Sequence, residues 1–547
     1  MAPLNSSRRR SLIYAYWPVF LAVLLVVPRL VSAEFGLFDD PAAIRYSQGI
    51  ANGDWSVLSN DADSGRFRPL YWLQYALTYL LVGRQPFWFY VVNSLVFVTL
   101  TGELIWLVRR LGGSQRQGWI TGALFVLAGP VIENVYTLMK PELLQFALIL
   151  GAILPFAGPA TAPVMPRRRA LFAILSAVLL LLAAMVKETT LLMLPISLTW
   201  LVLAWFASSA VAKKAELARW GAFFAASLVA SATYFGVRGQ FLEVSLTGGT
   251  YSGNFEWNLA RYGDSAIRWS GWLVRDFAWL APLFLVPFLD FINRRLQHRR
   301  LLVGAAIWTA AWILIYLPWE FTVEYYMLPV AIGVSIIGGN ALETTVTRIR
   351  EKRRPAFAWL SLGLASILWL TTLPNNYSNA RQQLAVDASN ARMLEYLAAQ
   401  EADVLDVIVN IQQENEYVYE IRTFLQDVRD LDETSVEIFN PSEGLSATPL
   451  LVASPFVYQQ PLLAVRMGVV ENTQIEWNRS LAAALGSQAE AVFEWEESFG
   501  LVLIDLPRLL CAALPERGYC AAERPFIDTR EFSYGWQIYE IPGAPGR

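Results

Sequence analysis

The feature that most constrains this chain is a succession of eleven apolar runs of membrane-spanning length within residues 11–373. They fall near 11–32, 86–108, 118–135, 141–158, 170–186, 189–211, 219–237, 270–291, 301–318, 327–345 and 356–373. A helix needs about 20 residues to cross the hydrocarbon. Only helices or closed barrels can cross it, because each backbone polar group must find its partner inside the protein. An α-helical polytopic membrane domain of about eleven helices follows. Composition agrees: 16% of residues are charged, against about 25% in soluble proteins. The first run contains Pro18 and Pro28 and lacks a small-x-small pattern before Glu34, so it reads as a retained crossing, not a cleaved signal.

Beyond the last run the character changes. Asn379 to Gln400 reads as an amphipathic helix, Val404 to Ile411 as a strand and Glu416 to Val428 as a second helix. Short strands are predicted at 436–439, 449–453, 501–505 and 536–541. Helices between short strands predict a small soluble α/β domain, which divides the chain into 1–374 and 375–547.

Loop charge orients the bundle. Arg8, Arg9 and Arg10 precede the first run. Every even-numbered exit is basic: Arg109, Arg110 and Arg116; Arg167 to Arg169; Lys213 and Lys214; Arg294 to Arg300; Arg348 to Arg354. By the positive-inside rule this predicts a cytoplasmic N-terminus and an extracytoplasmic C-terminal domain. The stretch 69–83 is short and aromatic, and counting it as a crossing would invert every later loop. It is predicted to lie in the outer interface, with Tyr71, Trp72, Tyr75 and Tyr79 at headgroup level. On the outer side Cys511 and Cys520 can form a disulfide or stay as two buried thiols. Asn376-Tyr377-Ser378 and Asn478-Arg479-Ser480 match the glycosylation acceptor pattern, which is short enough to arise by chance. The lone histidine, His298, sits in a basic loop, which leaves no basis for histidine catalysis or a His-rich metal site.

The outer turns hold the residues that can do chemistry. Asp39 and Asp40 follow the first run directly. Asp40-Pro41 fits a helix start, which explains one carboxylate and leaves the other to accept a proton or hold a cation. Lys140-Pro141-Glu142 opens the fourth run, where Glu142 either favours the helix dipole or meets the Asp39 loop. Lys187-Glu188 interrupts an otherwise apolar stretch, and charges in such places mark a helix end or a site. Arg66, Arg68 and Arg238, with Lys140 and Lys187, are candidate phosphate contacts, since a guanidinium fork matches two phosphate oxygens. Glu320, Glu324 and Tyr325 form a last outer cluster that also suits an aromatic belt. The residues require no cofactor; Asp40 and Glu142 could together hold a divalent cation, Mg or Mn, or Glu142 could instead orient the acceptor.

This layout resembles the integral-membrane glycosyltransferases of the C fold, with the protein O-mannosyltransferases and lipid A aminoarabinose transferases as the closest-looking groups. Paired acids after the first crossing, the Arg68-Pro69-Leu70 segment with its interfacial helix, Glu142, Lys187-Glu188 and Tyr326-Met327-Leu328-Pro329 carry the resemblance. It implies a polyprenyl-phosphate-linked sugar as donor and the first-loop aspartate, Asp39 in preference to Asp40, as base. Glu142 takes the place of the second-loop acid, and Arg66, Arg68 and Lys187 that of donor-phosphate contacts. The acceptor would be a glycan, a protein or a lipid at the membrane; nothing calls for nucleic acid. Three departures are visible: Asp39-Asp40 stands where many relatives have Asp-Glu, Glu142 where aspartate is common, and Glu324 where an arginine often precedes the tyrosine. Two other classes fit the same pattern. A transporter predicts several ionisable residues in mid-crossing, where Glu103 is the clearest, and a scaffold keeps the fold without the chemistry.

Overall fold

The computed structural model describes residues 17–37, 40–64, 66–158, 165–206, 210–241, 256–284, 299–319, 323–352 and 355–400 of the helical part. Beyond it, the described residues are 405–409, 414–428, 434–438, 451–457, 480–485, 490–506, 508 and 526–540. In chain order the helices are α1 (Trp17–Val31), α2 (Asp40–Ala51), α3 (Pro69–Val82), α4 (Pro86–Arg110), α5 (Gln115–Val126), α6 (Gly129–Tyr136), α7 (Glu142–Ile153) and α8 (Pro166–Val186). They continue with α9 (Met193–Trp205), α10 (Ala210–Phe241), α11 (Leu259–Phe277), α12 (Arg299–Tyr316), α13 (Leu328–Arg350), α14 (Pro355–Leu370), α15 (Thr372–Ala398) and α16 (Glu414–Thr423).

Among the described residues six helical stretches are long and apolar enough to cross a membrane. The pair α5 and α6, bent by 60°, makes a seventh, and α1, α7 and part of α12 are shorter apolar helices. The chain is an integral membrane protein. The expected run 270–291 differs: its first residues belong to α11, an amphipathic helix that buries Trp269, Trp272, Arg275 and Asp276 on one face. The remainder of that run lies partly outside the described residues.

Helix α13 is the axis of the bundle, 83% buried in its apolar window. Close approach there depends on small residues. A Cβ at Gly338 would lie 2.5 Å from the Trp279 ring, and a Cβ at Gly333 or Gly339 would overlap the Thr309 or Thr121 hydroxyl. Small residues that let helices meet are the usual means of packing in lipid, where apolar side chains gain nothing by leaving the solvent.

In α3 the aromatics expected at headgroup level pack into the protein. Tyr71, Trp72 and Tyr75 are buried, while Leu77, Leu80 and Leu81 face outward. Two phenols find protein partners: Tyr71 donates to the Met139 carbonyl at 3.1 Å and Tyr75 to the Leu138 carbonyl at 2.7 Å. A buried hydroxyl needs such a partner, and the leucines need none.

The C-terminal part is a five-stranded mixed sheet in the order β2-β1-β3-β5-β4. Its strands are β1 (Leu405–Val409), β2 (Thr434–Ile438), β3 (Leu451–Val457), β4 (Glu490–Ile504) and β5 (Ile527–Glu540). The first three are parallel, and β5 runs antiparallel to both β3 and β4. One apolar core joins this sheet to the helices after the first crossing: Phe35, Leu37 and Ile44 share it with Tyr75, Tyr90, Leu394, Val407 and Ile421. Cys511, Cys520, Asn478 and His298 lie outside the described residues. Asn376 is 3% exposed and donates to the Leu127 carbonyl at 2.8 Å, so this match to the glycosylation pattern is a packing residue.

Candidate functional site

Three polar groups gather at the turns that carry the candidate residues. The first surrounds the acidic loop. Asp40 opens α2 with Pro41 next, an acid where the helix dipole favours it. It is 4% exposed, and its Oδ2 accepts from the Gly36 amide at 2.7 Å. Behind it lies Arg29, from the end of α1, 1% exposed. Arg29 donates to the Glu34 carbonyl at 3.0 Å and to Asp387 Oδ2 at 2.5 Å, contacts the Tyr90 hydroxyl, and stacks 4.0 Å over that ring's centroid. Asp39 lies outside the described residues. Burial holds the Glu34 carboxyl above the usual range, with Glu395 adding to the effect and Arg29 opposing it.

The second group is built on α7. Glu142, 1% exposed, forms an ion pair with Lys187 across from it. The Lys187 ammonium also sits 4.2 Å over the Tyr326 ring, with Tyr325 and Tyr316 at 5.8 and 5.9 Å. Lys140 lies 4.2 Å over the opposite partner, Tyr325. One helical turn along, Gln145 donates to Thr189 and Thr190, both at 2.9 Å. Glu142 Oε2 and Gln145 Oε1 are buried acceptors with no hydrogen-bond partner among the described residues.

The third group forms where the segment before α3 meets the end of α10. Arg68 packs over Tyr71 at 4.7 Å, and Arg66 is half-buried two residues earlier. Tyr234 donates to the Phe67 carbonyl at 3.1 Å. Glu188, Arg238 and Arg68 all lie within electrostatic reach of that phenol. Arg238 is buried at 6% exposure. The second and third groups are contiguous, because Arg68 rests on Tyr71, Tyr71 bonds Met139, and Lys140 follows it; the acidic loop meets them through the apolar core that Ala43 and Ile44 share with Tyr71 and Met139. Residues far apart in sequence thus come together: Arg68 with Arg238 and Glu188, and Glu142 with Lys187, Lys140 and Tyr325.

Other expectations meet a different outcome. Glu324 is not part of an aromatic belt; it is 2% exposed and paired with Arg275, which also grips Asp276 through Nε at 2.7 Å. A Cβ at Gly129, where α6 begins, would meet Asp276, Glu324 and Asn376 oxygens at 2.8, 2.9 and 3.0 Å. This buried network was not expected from sequence. The signal was present, an adjacent Arg-Asp inside an apolar run, the same signal that Lys187-Glu188 gives. Glu320 lies outside the described residues. Asp40 turns toward Gly36 and Glu142 toward Lys187. Among the described residues no three Asp, Glu, His or Cys side chains group to hold a metal ion. Glu103 lies in α4, its Oε1 3.2 Å from the Cβ position of Gly151 and its buried Oε2 without a hydrogen-bond partner among the described residues.

No family model matches the sequence, and no curated protein matches it. Among solved structures, the Archaeoglobus fulgidus oligosaccharyltransferase, crystallised with a tethered acceptor peptide, aligns with a TM-score of 0.50 at 11% identity, over 86% of this chain and 72% of that one. The fold is that of the C-type membrane glycosyltransferases. ArnT from Cupriavidus metallidurans bound to undecaprenyl phosphate aligns with a TM-score of 0.49 at 12% identity, over 88% and 96% of the two chains. Its apo form gives 0.48 at 12% identity, over 97% and 98%.

Proposed function

We propose that this chain is an extracytoplasmic glycosyltransferase that moves a sugar from a polyprenyl-phosphate lipid to an acceptor hydroxyl. The observation that carries the reading is the contiguity of acids and cations described above. Arg68 and Arg238 gather around Tyr234, Lys140 and Lys187 around Tyr325 beside Glu142, and the helix that opens at Asp40 shares its apolar core with Tyr71 and Met139 between them. Such a donor already has a good leaving group. The reaction then needs a base for the acceptor and cations for the departing phosphate.

In the reaction, the acceptor oxygen bonds to the anomeric carbon as the carbon–oxygen bond to phosphate breaks. The electron pair leaves with the polyprenyl phosphate, the acceptor proton passes to a carboxylate, and the anomeric centre inverts. Because Asp40 is engaged with the Gly36 amide, we assign the proton-accepting role to Asp39 and the holding of the turn to Asp40. Glu142 orients the acceptor through its unpartnered oxygen. Arg66, Arg68, Arg238, Lys140 and Lys187 receive the phosphate. The basic even-numbered loops set the N-terminus in the cytoplasm, and the C-terminal sheet recognises the acceptor in the cell envelope.

The test uses full-length protein in lipid nanodiscs with a panel of polyprenyl-phosphate hexoses and pentoses, scoring release of polyprenyl phosphate in the presence of envelope glycan, protein and lipid fractions. Wild type should release it with at least one pair, and Asp39→Asn should lower the rate by about 10²–10⁴-fold, the usual worth of a positioned base. Full activity in Asp39→Asn/Asp40→Asn would defeat the reading. Uncoupled lipid movement without sugar transfer would favour the transporter.

A further inference from the structure

Two carboxylates of the C-terminal part reach the acidic loop from opposite ends. On its entry side, Asp387 of α15 is 1% exposed and takes Arg29 through Oδ2 at 2.5 Å, while Gln383 donates to its Oδ1 at 3.0 Å. The same Arg29 holds the Glu34 carbonyl at 3.0 Å. Gly36 is enclosed between the two acids: a Cβ there would lie 3.2 Å from Asp40 Oδ2 and 3.4 Å from Asp387 Oδ1. On its exit side, Glu420 of α16, 5% exposed, accepts from the Ala42 amide at 3.2 Å.

The second contact is unusual in kind. The first N–H groups of a helix lack partners within it, and a side chain one to three residues away normally caps them. Here the cap of α2 comes from 378 residues further along the chain. A remote cap does nothing for the local nucleation of the helix; it fixes where the helix starts relative to another body. Around it, Arg45 of α2 donates to the Tyr419 hydroxyl at 3.2 Å and lies 3.6 Å from Asp427. The apolar core continues across the same junction, from Leu37, Ala43 and Ile44 to Leu394, Ile421 and Leu425.

We propose that Asp387 and Glu420 are positioning residues for the acidic loop: the C-terminal part clamps both ends of the turn bearing Asp39 and Asp40. This rests on the catalytic reading of that loop. It adds that the domain is a component of the reaction machinery besides a recognition module. Seating of α16 on α2 and of Asp387 on Arg29 sets the geometry of the turn, so an acceptor that shifts the C-terminal part shifts the turn with it.

Hydrogen–deuterium exchange of the full chain in nanodiscs tests the clamp without any substrate. In Asp387→Asn and in Glu420→Ala, amides in peptides covering 32–44 should exchange about 10–100-fold faster, the expected effect of losing a charged hydrogen bond. Peptides covering 328–340 of α13 should be unchanged. Glu420→Gln keeps an acceptor oxygen and should restore near-wild-type exchange. Unchanged exchange at 32–44 in Asp387→Asn and Glu420→Ala overturns the proposal. If Asp387→Asn loosens the whole chain, the Glu420→Ala and Glu420→Gln pair decides it by the same criterion. With an active donor, kcat should fall in the loosened variants while KM for the polyprenyl-phosphate sugar stays. A loosened loop with full kcat would leave the clamp standing and remove the loop from catalysis.

Discussion

Removing Lys187 alone should be far more damaging than removing Lys187 and Glu142 together. In Lys187→Met the apolar stem is retained but the charge is lost, and Glu142 stays 1% exposed with neither oxygen compensated. Breaking a buried pair from one side costs about 3–5 kcal/mol. Glu142→Gln is milder. The ammonium keeps the Tyr326 face at 4.2 Å and two further rings within 6 Å, each contact worth on the order of 1–2 kcal/mol when desolvated. The expected cost of Glu142→Gln is therefore about 1–3 kcal/mol. In Glu142→Gln/Lys187→Met no charge is buried, and neutral replacement of a buried pair typically lands within about 1–2 kcal/mol of the parent. The coupling measured by the full cycle should be at least about 2 kcal/mol. Unfolding by SDS in one lipid–detergent mixture, followed by tryptophan fluorescence, reads all four proteins. If Lys187→Met is as stable as the double variant, the pair is not buried as described and the reasoning is refuted. If the double variant is stable and also transfers sugar normally, the pair is structural and has no part in binding phosphate.

Two further outcomes follow from packing and burial. Gly338→Ala should destabilise the bundle by about 1–3 kcal/mol, because its Cβ would press on the Trp279 ring at 2.5 and 2.8 Å. Gly363→Ala in α14 meets nothing within 4 Å and should gain roughly 0.5–1 kcal/mol from helix propensity; the two unfolding curves are compared directly. Glu34 is held above the usual carboxyl range by burial first and by Glu395 second. The folded state therefore binds this proton more tightly than the unfolded one, so stability is greatest below the unfolded-state value and falls as pH rises through the folded one. Glu34→Gln should then raise the melting temperature at pH 7 and leave it unchanged at pH 3.5. The gain should be modest, below about 1 kcal/mol, because water screens a half-exposed group; an equal gain at both pH values would contradict the linkage.

How much of this was readable in the chain depends on the interaction involved. The helices of the bundle, and the α/β character after residue 374, follow from runs and periodicities that any short window displays. So does the helix start at Asp40-Pro41. The candidate turns were found because a charge in an apolar context stands out locally, as at Lys187-Glu188. The failures came where the deciding partner lies elsewhere. Tyr71 and Tyr75 look like interfacial aromatics until the carbonyls of Met139 and Leu138 are set against them. Arg29 at the end of the first crossing drew no reading from sequence, because its partner Asp387 lies 358 residues away.

Composition and the period of apolar residues by themselves determined that this chain crosses a membrane many times and ends in a mixed α/β unit. Both follow from the cost of leaving backbone groups unpaired in lipid, a cost that any stretch of sequence carries with it. Only the tertiary structure decided which charges face one another: Glu142 with Lys187, Glu324 with Arg275, Asp387 with Arg29 and Glu420 with the first turn of α2. A buried charge is tolerable when its partner is in place, and that partner is set by packing across the whole chain, which no local window contains.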